Sequence, residues 1–103
     1  MNKQTVTPAE MSELISNVPQ WQVVEESGVK QLKRLFKFKN FVQAMAFANQ
    51  VGQIAEEEDH HPKLVIEWGK VIVVWWTHEA GGLQRRDFDM AARTDRQYEP
   101  DTA

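Results

Sequence analysis

Three histidines are the side chains here best suited to moving protons near neutral pH: His60, His61 and His78. Free imidazole titrates near pH ~6.5, so modest changes in its surroundings decide whether it donates or accepts. Two of the three are adjacent and close an acidic run, Glu56-Glu57-Glu58-Asp59-His60-His61-Pro62. Carboxylates beside an imidazole favour its charged form. Glu56 and His60 are four residues apart, so a continuing helix would place them on one face. Pro62 disfavours helical torsions at the residue before it, which should turn His61 away from His60. His78 stands apart, after Thr77 and before the flexible turn Glu79-Ala80-Gly81-Gly82. The chain has no cysteine, which excludes thiolate nucleophiles, thiolate metal sites and disulfides. The remaining chemistry is general acid–base work. A zinc site built from the histidines and Glu56 is the alternative, although adjacent histidines reach one ion only with strain.

The elements that must hold these groups follow from periodicity. Thr7-Pro8-Ala9-Glu10 has the form of an N-cap, a proline at the first helical position and a capping-box glutamate. Met11, Leu14, Ile15 and Val18 follow at helical spacing, and Pro19 closes the helix. Trp21 to Glu25 and Val29 to Phe38 predict two strands joined at Ser27-Gly28. Asn40 caps a second helix with an apolar stripe of Phe41, Ala44, Met45, Ala48, Val51 and Ala55, running to about Glu58. Its last turn carries acids where the macrodipole is negative, at a cost of about 0.3–1 kcal/mol each. A local rule broken without visible gain often marks a functional site. Leu64 to Trp68 and Val71 to Thr77 predict two more strands around Gly69-Lys70. A last helix runs from about Leu83 to Ala92, or to Tyr98 at its longest.

The order helix-strand-strand-helix-strand-strand-helix predicts an α+β fold: a four-stranded antiparallel sheet with three helices packed on one face. Val71, Val73 and Trp75 point one way, and Ile72, Val74 and Trp76 the other. Helices cover one face of such a strand, and a partner subunit is the expected cover for the other.

At 103 residues the chain is one domain, expected to span 1–103 with frayed ends at about 1–6 and 99–103. A composition of 42% hydrophobic and 26% charged residues is that of a folded chain rather than a disordered one. The net charge of -3 speaks against direct nucleic-acid binding. No apolar run approaches the roughly 20 residues of a membrane span, and residues 1–10 lack an apolar signal core. A cytoplasmic location is the expectation.

Taken together, these residues resemble the pterin-4a-carbinolamine dehydratases. That family's signature is an acidic residue, three residues, His-His-Pro, an aromatic after a gap, a Thr-His pair and an aspartate. Here the same positions hold Glu56, His60-His61-Pro62, Trp68, Thr77-His78 and Asp87. Glu79-Ala80-Gly81-Gly82-Leu83 is similar to the segment that follows the family's Thr-His pair. Phe36-Lys37-Phe38-Lys39-Asn40-Phe41 is similar to its strand-to-helix junction. The likeness spans roughly residues 8 to 92. Two positions depart from it. Gln84 stands where the family usually has Ser or Thr, which makes a poor N-cap. Lys63-Leu64 stands where an aromatic is frequent.

The resemblance implies a dehydratase acting on a tetrahydropterin with a hydroxyl at carbon 4a, releasing quinonoid dihydropterin and water. It implies that His60 and His78 are the acid–base pair and that Glu56 orients or charge-tunes His60. His61 would chiefly bind the pterin. The backbone around Asp59 and from Trp76 through Thr77 to Glu79 would line the pocket. Asp87 would hold one histidine in place, and Pro62 would support the turn. The implied reaction needs neither a metal nor a cofactor. The implied assembly is a homodimer or homotetramer, with no membrane partner. Two neighbouring roles share the motif: a pterin-binding protein of molybdopterin cofactor metabolism, and a dimerisation cofactor of a transcription regulator.

Overall fold

The computed structural model describes residues 4–98. The fraying expected at 99–103, and at 1–3, lies outside the described residues. Residues 4–6 are tied to the loop before the last helix: Val6 N–H donates to Leu83 O at 2.9 Å, and Gln84 Nε2 donates to Gln4 O at 3.0 Å.

Helix α1 spans Pro8–Ile15. Its capping box forms as the sequence predicts: Glu10 N–H donates to Thr7 Oγ1 at 3.1 Å, and Thr7 N–H donates to the Glu10 carboxylate at 2.8 Å. The Thr7 backbone bond, with the Thr7 side chain behind it, holds the Glu10 carboxyl below its ordinary value. The helix stops short of Pro19. Single turns close at Leu14, Ile15 and Val18 instead, because the residue before a proline avoids helical torsions. Val18 and Trp21 still reach the core.

Strands β1 (Gln22–Glu26), β2 (Val29–Lys37), β3 (Lys63–Glu67) and β4 (Lys70–Trp75) form one antiparallel sheet in the order β1-β2-β4-β3. The α+β architecture and element order are those the sequence predicts. Ser27 and Gly28 both take positive φ in the β1–β2 turn, as a tight hairpin requires. The second hairpin turns at Trp68-Gly69, one residue earlier than the spacing suggests. Gly69 sits at φ 78, and a Cβ there would lie 3.3 Å from Phe38 O.

Helix α2 (Phe41–Glu58) buries Ala44, Phe47, Ala48, Val51, Ile54 and Ala55. Phe41, expected on that stripe, is exposed, and Phe47 takes its place in the core. The Phe47 ring packs against Phe36 at 4.7 Å and Phe38 at 5.1 Å. Helix α3 (Arg85–Gln97) reaches nearly the longest extent the sequence allowed. The helices cover the sheet face that carries Leu32, Phe36, Val71, Val73 and Trp75, all buried. Each such side chain contributes about 1.5–3 kcal/mol by leaving water.

The opposite face of β4 is less bare than its alternation implies. Val74 is only 5% exposed. The register sets it directly between Lys33 and Lys63, whose aliphatic stems can cover apolar neighbours.

Candidate active site

The end of α2 decides where the two adjacent histidines go. Asp59 takes left-handed torsions, φ 49 and ψ 44, a conformation aspartate tolerates better than most side chains. His60 N–H then donates to Ala55 O at 3.1 Å, ending the helix. That reversal carries His60 off the α2 surface and toward α3. Its ring is 5% exposed and stacks on Trp75, with centroids 5.5 Å apart and planes at 24°. Trp75 is fixed in turn, its Nε1–H donating to Thr94 Oγ1 at 3.0 Å.

His60 Nε2 lies 2.6 Å from Asp87 Oδ1. Asp87 is fully buried. Its Oδ2 accepts from Thr77 Oγ1 at 2.7 Å and from Gln84 N–H at 2.8 Å. An ionised carboxylate only accepts, and against that form His60 carries its proton on Nε2. Nδ1 is left as the ring's free position. The Gln84 bond also explains how α3 starts despite its poor N-cap residue. Asp87, at the third helical position, accepts the cap's own N–H. One carboxylate therefore starts the helix, holds the Thr77 hydroxyl and orients His60.

The other two histidines are exposed. Thr77 N–H donates to Gly82 O at 2.8 Å, pinching the intervening loop into a short 3-10 turn at His78–Ala80. His78 opens that turn, and its ring stacks on Trp76 at 4.5 Å. His61 turns outward, with Nε2 at 2.5 Å from Glu56 Oε2.

That last contact corrects the expected pairing of Glu56 with His60. A shared face required the helix to continue, but it ends at Glu58 and the left-handed Asp59 reverses the chain. Glu56 therefore meets His61, and Asp87 is the partner of His60. The acidic run also has a structural use that the sequence did not disclose. Arg93 donates to Glu57 and Glu58 at 2.9 Å each. Both carboxylates hold that guanidinium above its ordinary pKa, the Glu57 bond foremost. The acids tolerated at the negative end of α2 thus clamp it to α3.

The structure brings His60, Thr77 and Asp87 into one buried network. Trp76 supports His78, and Glu79 pairs with Arg86 at 2.9 Å. Pro62 is half-buried next to β3, while Trp68 is exposed at the β3–β4 turn. A cavity of about 310 Å3 opens beside His60, lined by Glu58, His60, Arg86, Asp89, Met90 and Arg93. A roomier one of about 640 Å3, between α1 and the β1–β2 turn, contains none of the histidines. Of these two cavities, the smaller is the one that a histidine lines. Arg86, Asp89 and Arg93 escaped the sequence reading. Their only signal was a polar i, i+3, i+7 stripe on α3. Among the described residues, no three His, Asp or Glu side chains converge as a metal ion would need.

Comparison with known proteins agrees with the motif. Residues 4–97 match the family model described as pterin 4 alpha carbinolamine dehydratase. The chain is 57% identical over 93 residues to a Marinobacter nauticus protein named "Putative pterin-4-alpha-carbinolamine dehydratase", covering 90% of this chain and 84% of that one. A Saccharophagus degradans protein of the same name is 58% identical over 86 residues, covering 84% and 76% of the two chains. Among solved structures, a transcriptional coactivator/pterin dehydratase from Brucella melitensis superposes with a TM-score of 0.85 at 32% identity, covering 93% of this chain and all of that one.

Proposed function

The chain belongs to the pterin-4a-carbinolamine dehydratase family, a family of hydro-lyases, and from that membership we propose that it dehydrates 4a-hydroxytetrahydrobiopterin in tetrahydropterin recycling. In this reaction the proton on N5 leaves to a base. The N5 electron pair forms the C4a=N5 bond, the C4a–O bond breaks, and the departing hydroxyl takes a proton from an acid. The products are quinonoid dihydropterin and water, with no change of oxidation state.

The observation that carries this reading is the bond between His60 and the buried Asp87. It keeps the Nε2 proton on His60, leaves Nδ1 free to accept, and places a negative charge against the imidazolium that forms. His78, exposed and steadied on Trp76, supplies the proton for the leaving hydroxyl. His61, with Glu56 behind it, binds the pterin. In the same reading the peptide groups around Asp59 and from Trp76 to Glu79 offer the pterin donors and acceptors.

The protein acts, in this reading, as a cytoplasmic homo-oligomer. Among the described residues no helix is long and apolar enough to cross a membrane. Phe41 and Val42 are 46% and 76% exposed on the first turn of α2, where a second subunit would cover them.

The test is dehydration of chemically made 4a-hydroxytetrahydropterin, with the spontaneous loss of water subtracted. Wild type should accelerate it, and a His60→Ala/His78→Ala protein should not. A wild type that leaves the spontaneous rate unchanged overturns the proposal.

A further inference from the structure

Helix α3 reaches His60 by two arms. Asp87 meets the ring directly, Oδ1 to Nε2 at 2.6 Å. Thr94 follows Asp87 at i+7 and so shares its helical face. Its Oγ1 accepts the Trp75 indole N–H at 3.0 Å, and Trp75 stacks on the His60 ring with planes 24° apart. Asp87, Trp75 and Thr94 are all 0% exposed, so water competes for neither arm. The two arms restrain different things. The Asp87 bond fixes one ring atom and leaves the plane of the ring to the Cβ–Cγ torsion, which in histidine has broad, roughly two-fold wells. The direction of Nδ1 follows that plane. A flat indole against the ring restrains it, provided the indole itself cannot turn, and the Thr94 bond anchors the indole.

Helix formation does not ask for a threonine at this position. A β-branched side chain loses χ1 freedom in a helix interior. The Thr94 hydroxyl also donates back to Met90 O at 2.7 Å, a bond that slightly destabilises a helix. Valine would fill the same space. What the hydroxyl adds is an acceptor, and the bond to Met90 O directs its proton away from Trp75, leaving the oxygen's lone pairs for the indole N–H. Thr94 does not line the cavity beside His60, so any effect on the reaction passes through another side chain. We propose that Thr94 is a positioning residue for His60: through Trp75 it sets the plane of the imidazole and hence the direction of Nδ1. This inference rests on the proton-transfer role given to His60 above and deepens it by naming what orients the ring beyond its carboxylate partner.

The experiment compares wild type with Thr94→Val, Thr94→Ser, Trp75→Phe and the Trp75→Phe/Thr94→Val pair. It measures kcat and KM for dehydration, together with the NMR shifts of the carbon-bound His60 ring protons, which the indole ring current displaces. Thr94→Val keeps the volume and removes the acceptor. Its kcat should fall roughly 10–100-fold, its KM should change less than about threefold, and the His60 ring-proton shifts should move. Thr94→Ser restores the hydroxyl and should bring kcat back to within about threefold of wild type. Thr94→Val also leaves a buried N–H without an acceptor, which weakens the fold. Trp75→Phe has no such donor, so it reads the same arm without that defect. It keeps an aromatic face with nothing to anchor it, and its kcat should fall by a similar factor. Adding Thr94→Val to Trp75→Phe should then change kcat less than about twofold, because the hydroxyl has no indole left to hold. Wild-type kcat in Thr94→Val or in Trp75→Phe overturns the inference alone, as do additive losses in the pair or a serine that fails to rescue. If wild type leaves the spontaneous loss of water unchanged, the reading of His60 fails first and takes this inference with it.

Discussion

His60 and His61 are neighbours in the chain, and each meets one carboxylate, Asp87 at 2.6 Å and Glu56 at 2.5 Å. By distance the pairs are equals. By surroundings they are not: the side chains of His60 and Asp87 are 5% and 0% exposed, those of His61 and Glu56 55% and 77%. Water competes for every bond of the exposed pair and screens its charges, so it contributes only about 0–1 kcal/mol. The buried pair has no such competitor. Removing one partner from a buried pair costs about 3–5 kcal/mol, because the other is left without a substitute. The contrast teaches that separation alone does not rank the two histidines. The left-handed Asp59 does, by sending one ring into the body of the protein and the next out to its rim.

The sharpest way to break that contrast is at Asp87. Asp87→Ala strands three donors at once: His60 Nε2–H, Thr77 Oγ1–H and Gln84 N–H. A loss of about 3–5 kcal/mol in urea unfolding is expected, together with loss of dehydration. Asp87→Asn separates the two effects. It preserves shape and one acceptor but removes the charge opposite His60, so most of the fold should persist while the rate falls roughly 10²–10⁴-fold. An Asp87→Asn protein with wild-type kcat would mean that His60 does not depend on its partner.

Single histidine variants come next in size. His60→Ala should lower kcat by roughly 10²–10⁴-fold. His61→Ala should act mainly on KM, by roughly tenfold or less. Equal kcat losses in the two variants would erase the distinction proposed between the buried and the exposed histidine.

Much of this arrangement was legible in the sequence, and what was not has physical causes. The capping box at Thr7 and Glu10, the Ser27-Gly28 turn and the element order all depend on local chemistry, and local chemistry is written in neighbouring residues. The motif also pointed to Asp87 as the partner of a histidine, and Asp87 meets His60. Partner assignment was different. The four-residue spacing of Glu56 and His60 suggested a pair, and one left-handed residue undid it. Nothing local announces that Asp59 will take those torsions, because aspartate only tolerates them. Phe41 and Phe47 show the same limit. Both fit a helical stripe, and only packing against Phe36 and Phe38 selects Phe47. Arg93 was invisible as a clamp because its carboxylates lie 35 and 36 residues away.

Glu56→Gln sharpens the comparison from its weak side. It removes the charge of the exposed pair and keeps the side chain's size. Unfolding stability should change by about 1 kcal/mol or less. The small difference from wild type should shrink further in about 1 M salt, where the Debye length is near 3 Å. The Asp87→Asn difference should survive the same salt. If both differences vanish together, the buried pair is solvated in solution and the ranking drawn from exposure is wrong.

A third carboxylate gives the smallest effect and a control outside the site. Glu10 is held below its ordinary pKa by the Thr7 backbone N–H, and then by the Thr7 side chain. Its ionised form is therefore favoured in the folded state relative to the unfolded one. The stability it contributes is present above the unfolded carboxylate range and is lost as pH falls through the lower, folded value. Glu10→Gln should weaken the fold slightly at neutral pH and flatten the acid limb of the stability profile, read by urea unfolding between about pH 7 and about pH 3. Dehydration at neutral pH should stay at the wild-type rate, since α1 contributes nothing to the His60 network. A Glu10→Gln protein with altered kcat would show that the capping box reaches the site through the Val6–Leu83 tie. In that case the buried network around Asp87 would extend further than its own hydrogen bonds.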